Sequence, residues 1–151
     1  MGKILISHRG NIDGPNPKSE NHPDYIVKAL HEGYDVEIDV WFINNKFMLG
    51  HDSPQYEFPF NLLERFYSKL WIHCKNLEAL IEFKQIDPTA SRLNYFWHQG
   101  DDVTLTSKRY IWAYPGKQPI DNSIAVMPEL NNDNTSKCVG ICSDYIKNYN
   151  K

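Results

Sequence analysis

Two carboxylates stand two residues apart in Glu37-Ile38-Asp39, inside a stretch that alternates polar and apolar residues. In an extended strand, residues i and i+2 point to the same face, so both acids project together with oxygens close enough to share one cation. Buried side by side without a cation they would repel, and one would stay protonated. Histidines flank the pair in sequence. His8-Arg9-Gly10 closes the apolar run KILIS, and Gly50-His51-Asp52 closes a later short run. A histidine moves protons near neutral pH, and an arginine beside it grips a phosphate oxygen with two hydrogen bonds. Taken alone, Glu-x-Asp also describes a solvated strand face, and a lone histidine is more often structural. Two histidines at strand-to-loop junctions around a carboxylate pair describe an acid–base site built on a metal.

The elements that must position these groups follow from hydrophobic period and turn residues. Lys3 to Ser7 reads as a buried strand ending in a functional loop, and residues 11–23, rich in Asn, Gly and Pro, as an ordered loop. Asp24 is placed to cap a helix through Tyr25, Ile26, Ala29 and Leu30, which Gly33 ends. Tyr34 to Trp41 alternates as a strand, Asn44-Asn45 turns, and Lys46 to Leu49 returns. Pro59 to Leu70 has helical spacing, Leu70 to Cys74 is a strand, and Asn76 starts another helix. Further apolar runs lie at Asn94 to Trp97, Tyr110 to Tyr114, Ser123 to Met127 and Cys138 to Cys142. Strand alternating with helix in the first half favours a parallel sheet. The expectation is one α/β domain over residues 1–151, a reduced or incomplete TIM-type (β/α) barrel of about seven to eight mostly parallel strands. Its second-half helices are lost, because a full barrel takes ~250 residues.

Composition narrows the partners. Apolar residues make up 41% and charged residues 23%, ordinary for a globular domain, and the excess is aromatic. Net charge is −3 with no basic cluster, which argues against nucleic acid but not against a small phosphorylated ligand. No run approaches the ~20 apolar residues of a membrane span, and no signal precedes the first strand, so the expected location is cytoplasmic. The three cysteines lack metal-finger spacing and read as buried thiols, with Cys138 and Cys142 sharing one strand face. Bare strand faces would expose apolar surface, from which a homodimer is expected.

The order and spacing of these motifs resemble the glycerophosphodiester phosphodiesterase family of phosphatidylinositol-specific phospholipase C-like barrels. His8-Arg9-Gly10, Ser19-Glu20-Asn21, Gly33, Glu37-Ile38-Asp39 and Gly50-His51-Asp52 match its HRG, PEN, E-x-D and HD pattern over the first third of the chain. Ser143-Asp144 looks like the close of the family's last strand. The resemblance implies that His8 and His51 are general acid and base, and that Glu37 and Asp39 hold one divalent cation, Mg²⁺ or Ca²⁺. Arg9 and Lys75 would bind phosphate, and Glu20 and Asn21 would shape the adjoining loop.

Where the family carries a third acid, this chain has His73. Imidazole suits Zn²⁺, Mn²⁺ or Fe²⁺ better than Mg²⁺ or Ca²⁺. Three readings stay open: His73 is the third ligand, Glu129 supplies the missing carboxylate, or the metal is weakly held. Trp97, Trp112 and Tyr114 lie near strand ends, where they either stack on a ligand or fill the core, and His98 either joins the site or belongs to a loop. The implied function is a phosphoric diester hydrolase acting on a small phosphodiester. The alternative is a non-catalytic module that binds a sugar or lipid phosphate in the same pocket.

Overall fold

A computed structural model describes residues 2–150. It contains ten strands: β1 (Ile4–His8), β2 (Asp35–Ile43), β3 (Lys46–Leu49), β4 (Tyr56–Glu57), β5 (Leu70–Cys74), β6 (Asn94–Trp97), β7 (Val103–Leu105), β8 (Ile111–Ala113), β9 (Ser123–Val126) and β10 (Gly140–Ser143). The helices are α1 (Pro23–His31), α2 (Phe60–Phe66) and α3 (Leu77–Ile86), joined by three short 3-10 turns. Seven strands run parallel in the order β6-β5-β2-β1-β10-β9-β8. β3, β4 and β7 pair antiparallel at the margins.

The expected TIM-type barrel is therefore wrong. The sheet is mixed and curls into a half-barrel that carries few helices. The connections explain the difference. β8 reaches its parallel neighbour β9 through residues 114–122 and β9 reaches β10 through residues 127–139, with only one 3-10 turn between them. A helical crossover usually takes a dozen or more residues; the first connection falls short of that, and the second is broken by the Pro128–Leu130 turn and rich in Asn, Asp and Thr. Small and β-branched residues of β9 and β10 pack under loops instead: Ala125 and Ile141 form one cluster with Tyr34, Cys138 and Ile146. Cys142 faces the other cluster, so Cys138 and Cys142 do not share a face as the sequence suggested.

Period-two alternation gives the sheet its two sides. Val36, Ile38, Val40, Ile72 and Cys74 point outward and pack beneath α1, α2 and α3. Ile6, Trp71, Phe96, Trp112, Ile124 and Cys142 point into the concavity and fill its floor. The rings there are in contact: Phe96 and Trp112 lie 4.8 Å apart, Trp71 and Trp112 5.8 Å. Two residues further along most of these strands, the inward positions become His8, His73, His98, Tyr114 and Asp144, and Glu37 of β2 stands in register with His8. The polar mouth thus sits one strand repeat above an aromatic plug.

β6 and β8 are not joined into a closed cylinder. β7 leans across the gap, and its neighbours satisfy the free edge of β6 with side chains. Ser107 Oγ accepts from Tyr95 N and donates to Leu93 O, Ser107 N donates to Tyr95 O, and Thr104 Oγ1 donates to Trp97 O. Among the described residues no helix is long and apolar enough to cross a membrane.

Local caps match their sequence signals with one change. Asn76 caps α3 by accepting from Ala79 N, while also bonding Phe42 N and O as a strand neighbour would. At α1 the capping side chain is His22, which accepts from Asp24 N, rather than Asp24. α3 ends at Asp87, whose carboxylate accepts from the backbone N–H groups of Ser91, Arg92 and Leu93. Burial would raise its pKa, but these donors outweigh it and hold it below 3.8. Charge-assisted bonds of this kind make Asp87→Ala cost about 2–3 kcal/mol in a denaturant titration. A carboxylate with a depressed folded pKa stabilises fully above its unfolded value and loses that contribution as pH falls through the folded one. The variant should therefore show a shallower loss of stability below about pH 4; an unchanged acid limb would refute the role.

Candidate active site

β2 supplies the centre. Glu37 and Asp39 face the concavity and are 2% and 0% exposed. Glu37 Oε2 and Asp39 Oδ1 are buried and have no hydrogen-bond partner. Such orphaned oxygens are costly unless another group meets them.

The neighbouring strands bring the cationic and imidazole groups by register. His8 pairs with Glu37 across β1 and β2, and its Nε2 lies 3.8 Å from Glu37 Oε2. His73 pairs with Asp39 across β5 and β2; its Nδ1 is 3.2 Å from Asp39 Oδ1 and 3.8 Å from Glu37 Oε1. The other nitrogen, Nε2, is 2.8 Å from the His98 carbonyl. A carbonyl only accepts, so Nε2 carries a proton and Nδ1 faces the acids, donating to Asp39 when the ring is protonated and offering a lone pair to a cation when it is not. Metal-ligating histidines are commonly fixed in this way. Lys75 Nζ lies 3.9 Å from Asp39 Oδ1, and Arg9 Nε 3.1 Å from Asp39 Oδ2.

The loop after β1 locks this layer. Asn21, at φ 64°, donates from Nδ2 to Asp39 Oδ2 and accepts at Oδ1 from Asp39 N, both at 2.9 Å. Asn11 donates to Glu20 Oε1 at 2.9 Å and to Asp144 Oδ1 at 2.8 Å, and accepts from Tyr25 OH and Asn16 N. Glu20 in turn holds Arg9 Nη1 at 3.3 Å, and Asp144 holds His8 Nδ1 at 2.7 Å.

His51 reaches the same mouth by a different route. Arg9 N donates to Glu37 O and Gly50 N donates to Asp39 O, so the segments bearing His8 and His51 meet β2 two residues apart on one edge. Gly50 is required there, because a Cβ would lie 2.0 Å from Ser53 O. His51 is 41% exposed in its side chain, and its Nδ1 is 2.6 Å from Asp52 Oδ1. It makes no ion pair with Glu37 or Asp39 among the described contacts, and instead shares a cavity of about 280 Å³ with His73, Lys75, His98 and Tyr114. A larger groove of about 740 Å³ opens near the start of β1, with Lys3 the only charged lining residue among the described residues.

Electrostatics separates the two acids. Burial and the Asp39 charge raise the Glu37 pKa against the pull of His8, Arg9 and His73. For Asp39, burial also raises, but His73, Arg9 and the Asn21 bond prevail and hold it ionised well below the ordinary range. Burial would lower His8, yet the Asp144 hydrogen bond and the Glu37 charge raise it above 6.5. His98 is buried beside His73 and falls to about 4, so it is neutral at physiological pH.

The seven residues expected from the sequence thus divide. Glu37, Asp39 and His73 offer donor atoms within 4.8 Å of one another, with His8, Arg9 and Lys75 around them and His51 at the rim. The donor set fits a divalent cation, since two buried carboxylate oxygens lack hydrogen-bond partners and an imidazole Nδ1 faces them. Glu129 is elsewhere: it accepts from Ser143 Oγ at 2.7 Å and from Tyr149 OH at 3.0 Å. Trp112 belongs to the floor, while Trp97 and Tyr114 line the cavity. Sequence reasoning missed the roles of Asn11 and Asp144 as partners of the loop and of His8. Comparison with protein-family models, curated proteins and solved structures gives no match.

The Asp144–His8 contact makes a direct prediction. Asp144→Asn removes the negative partner and should lower the His8 pKa, read from the imidazole chemical shift in an NMR titration. An unchanged or higher value would mean that Asp144 does not set the charge of His8.

Proposed function

We propose that the chain is a metal-dependent phosphodiesterase acting on a glycerophosphodiester or a similar alcohol phosphodiester. The observation that carries this reading is the pair of buried, unpartnered oxygens on Glu37 and Asp39, within reach of His73 Nδ1. A divalent cation held by Glu37, Asp39 and His73 would supply Lewis-acid polarisation of a phosphate oxygen. The family resemblance favours Mg²⁺ or Ca²⁺, and the imidazole donor favours Mn²⁺ or Zn²⁺.

The protein's own groups divide the remaining work. Arg9 and Lys75 bring positive charge to the phosphate as negative charge grows on its oxygens. His8 and His51 each engage a carboxylate through Nδ1, with Asp144 and Asp52 respectively, which leaves Nε2 of both rings to exchange protons. One ring deprotonates the attacking hydroxyl and the other protonates the departing alcohol. The raised pKa of His8 suits the acid, and exposed His51 suits the base. Three free thiols, among the described residues, agree with a reducing compartment and so with a cytoplasmic location.

The test is a phosphodiester panel assayed with Mg²⁺, Ca²⁺, Mn²⁺ and Zn²⁺ before and after EDTA. Hydrolysis that EDTA removes is expected, with His8→Ala and His51→Ala each lowering kcat by about 10²–10⁴. Wild-type turnover by both variants would refute the assignment. Tight binding of a diester with no turnover in any metal would favour the non-catalytic binding module.

Self-association is proposed through β7, where Val103 and Leu105 are exposed. Light scattering at micromolar concentration should return twice the 17.7 kDa chain mass, and a clean monomer would refute it.

A further inference from the structure

The cavity beside the acids has features that neither cation binding nor proton transfer uses. At about 280 Å³ it is near the lower limit of ligand pockets, roughly 300–1,000 Å³. Its lining includes Trp97, His98 and Tyr114, from the ends of β6 and β8, together with His51 and Lys75. His98 is 3% exposed, and neither of its ring nitrogens has a hydrogen-bond partner. Its ring packs 3.7 Å from the Tyr114 ring, whose hydroxyl is already spent on the Gln99 carbonyl at 2.6 Å. Tyr114 therefore covers His98 without satisfying it.

Two buried, unpaired nitrogens on one ring cost stability and call for a ligand group that pairs with them. A neutral imidazole presents one donor and one acceptor, the combination that a hydroxyl matches. Aromatic faces beside it suit the C–H surface of a small carbon skeleton. They also attract cations. Here, however, Lys75 lines the cavity, whereas the carboxylates whose charge reaches its walls, Glu37, Asp39 and Asp101, are not among the lining residues, so an ammonium group would meet like charge with no carboxylate in contact.

We propose that this cavity is the alcohol subsite, and that His98 selects a neutral polyhydroxy alcohol over a cationic one such as choline or ethanolamine. The identity of what enters rests on the phosphodiesterase reading, while the binding preference needs no turnover. Glycerophosphoglycerol and glycerophosphocholine are isocharged at phosphate and differ in the alcohol, which makes them the probes.

The full chain carrying His8→Ala, in which turnover is suppressed, is titrated calorimetrically with each diester in the presence of Ca²⁺. Glycerophosphoglycerol should bind about tenfold tighter, the discrimination expected from one well-made hydrogen bond to a buried group. Adding His98→Phe should bring the two affinities close together, and His98→Gln, which keeps a donor and an acceptor, should restore part of the gap. Equal or tighter binding of the choline diester overturns the proposal, as does binding of neither diester. A preference that survives His98→Phe in a protein with native circular dichroism overturns the role of His98. If the preference holds but the wild-type chain hydrolyses neither diester in any of the four metals, the subsite stands and the phosphodiesterase reading falls. Hydrolysis of both without preference has the reverse meaning.

Discussion

Two carboxylates from one strand, shut away from water on the same face, are the constraint around which the molecule is arranged. Glu37 and Asp39 repel each other at close range, and neither is solvated. Charges removed from water are tolerable only when paired and hydrogen-bonded on several sides. The segments beside β2 bring such compensation: β1 and the residue after it deliver His8 and Arg9, β5 and the residue after it deliver His73 and Lys75, and the loop before α1 delivers Asn21. The compensation is uneven by design of the register. Asp39 is gripped on backbone and side chain and stays ionised, whereas Glu37 keeps a raised pKa and an unmet oxygen. That asymmetry leaves the acids incomplete in the direction of the cavity.

Much of this centre was legible because it is local. Period-two spacing puts Glu37 and Asp39 on one face wherever β2 lies, and the strand ranges at Lys46–Leu49, Leu70–Cys74 and Asn94–Trp97 follow from apolar runs between turn residues. His8 and His51 were marked by their place at strand ends, and His73 by standing where the resembled family carries an acid. The partners that orient them are not local. Asp144 lies 136 residues from His8 in sequence, and only the parallel pairing of β1 with β10 brings them together. Asn11 carries no motif of its own, and its four hydrogen bonds emerge only when the loop closes over Tyr25, Glu20 and Asp144.

The architecture was misread for a related reason. Alternating strands and helices in the first half imply crossovers, and extending that rule along the chain gives a barrel. The second half departs from the rule because its linkers are short or rich in turn residues, and because small residues such as Ala113 and Ala125 need no helix to cover them. The antiparallel strands β4 and β7 are two and three residues long, too short to show alternation. What a pattern of apolar residues cannot encode is which strands become edges.

One such edge has a consequence for the fate of the chain in a crowded solution. A strand with open amide and carbonyl groups is a template on which another molecule can add its own strand, the first step toward fibrils. On β6 that template has been blanked by two hydroxyl side chains, Ser107 and Thr104, which occupy the bonding positions without extending the sheet. A cylinder left geometrically unfinished in this way keeps the backbone groups of β6 closed to strand addition, and the protection lies in two hydroxyls and the Ser107 backbone N–H rather than in an eighth parallel strand.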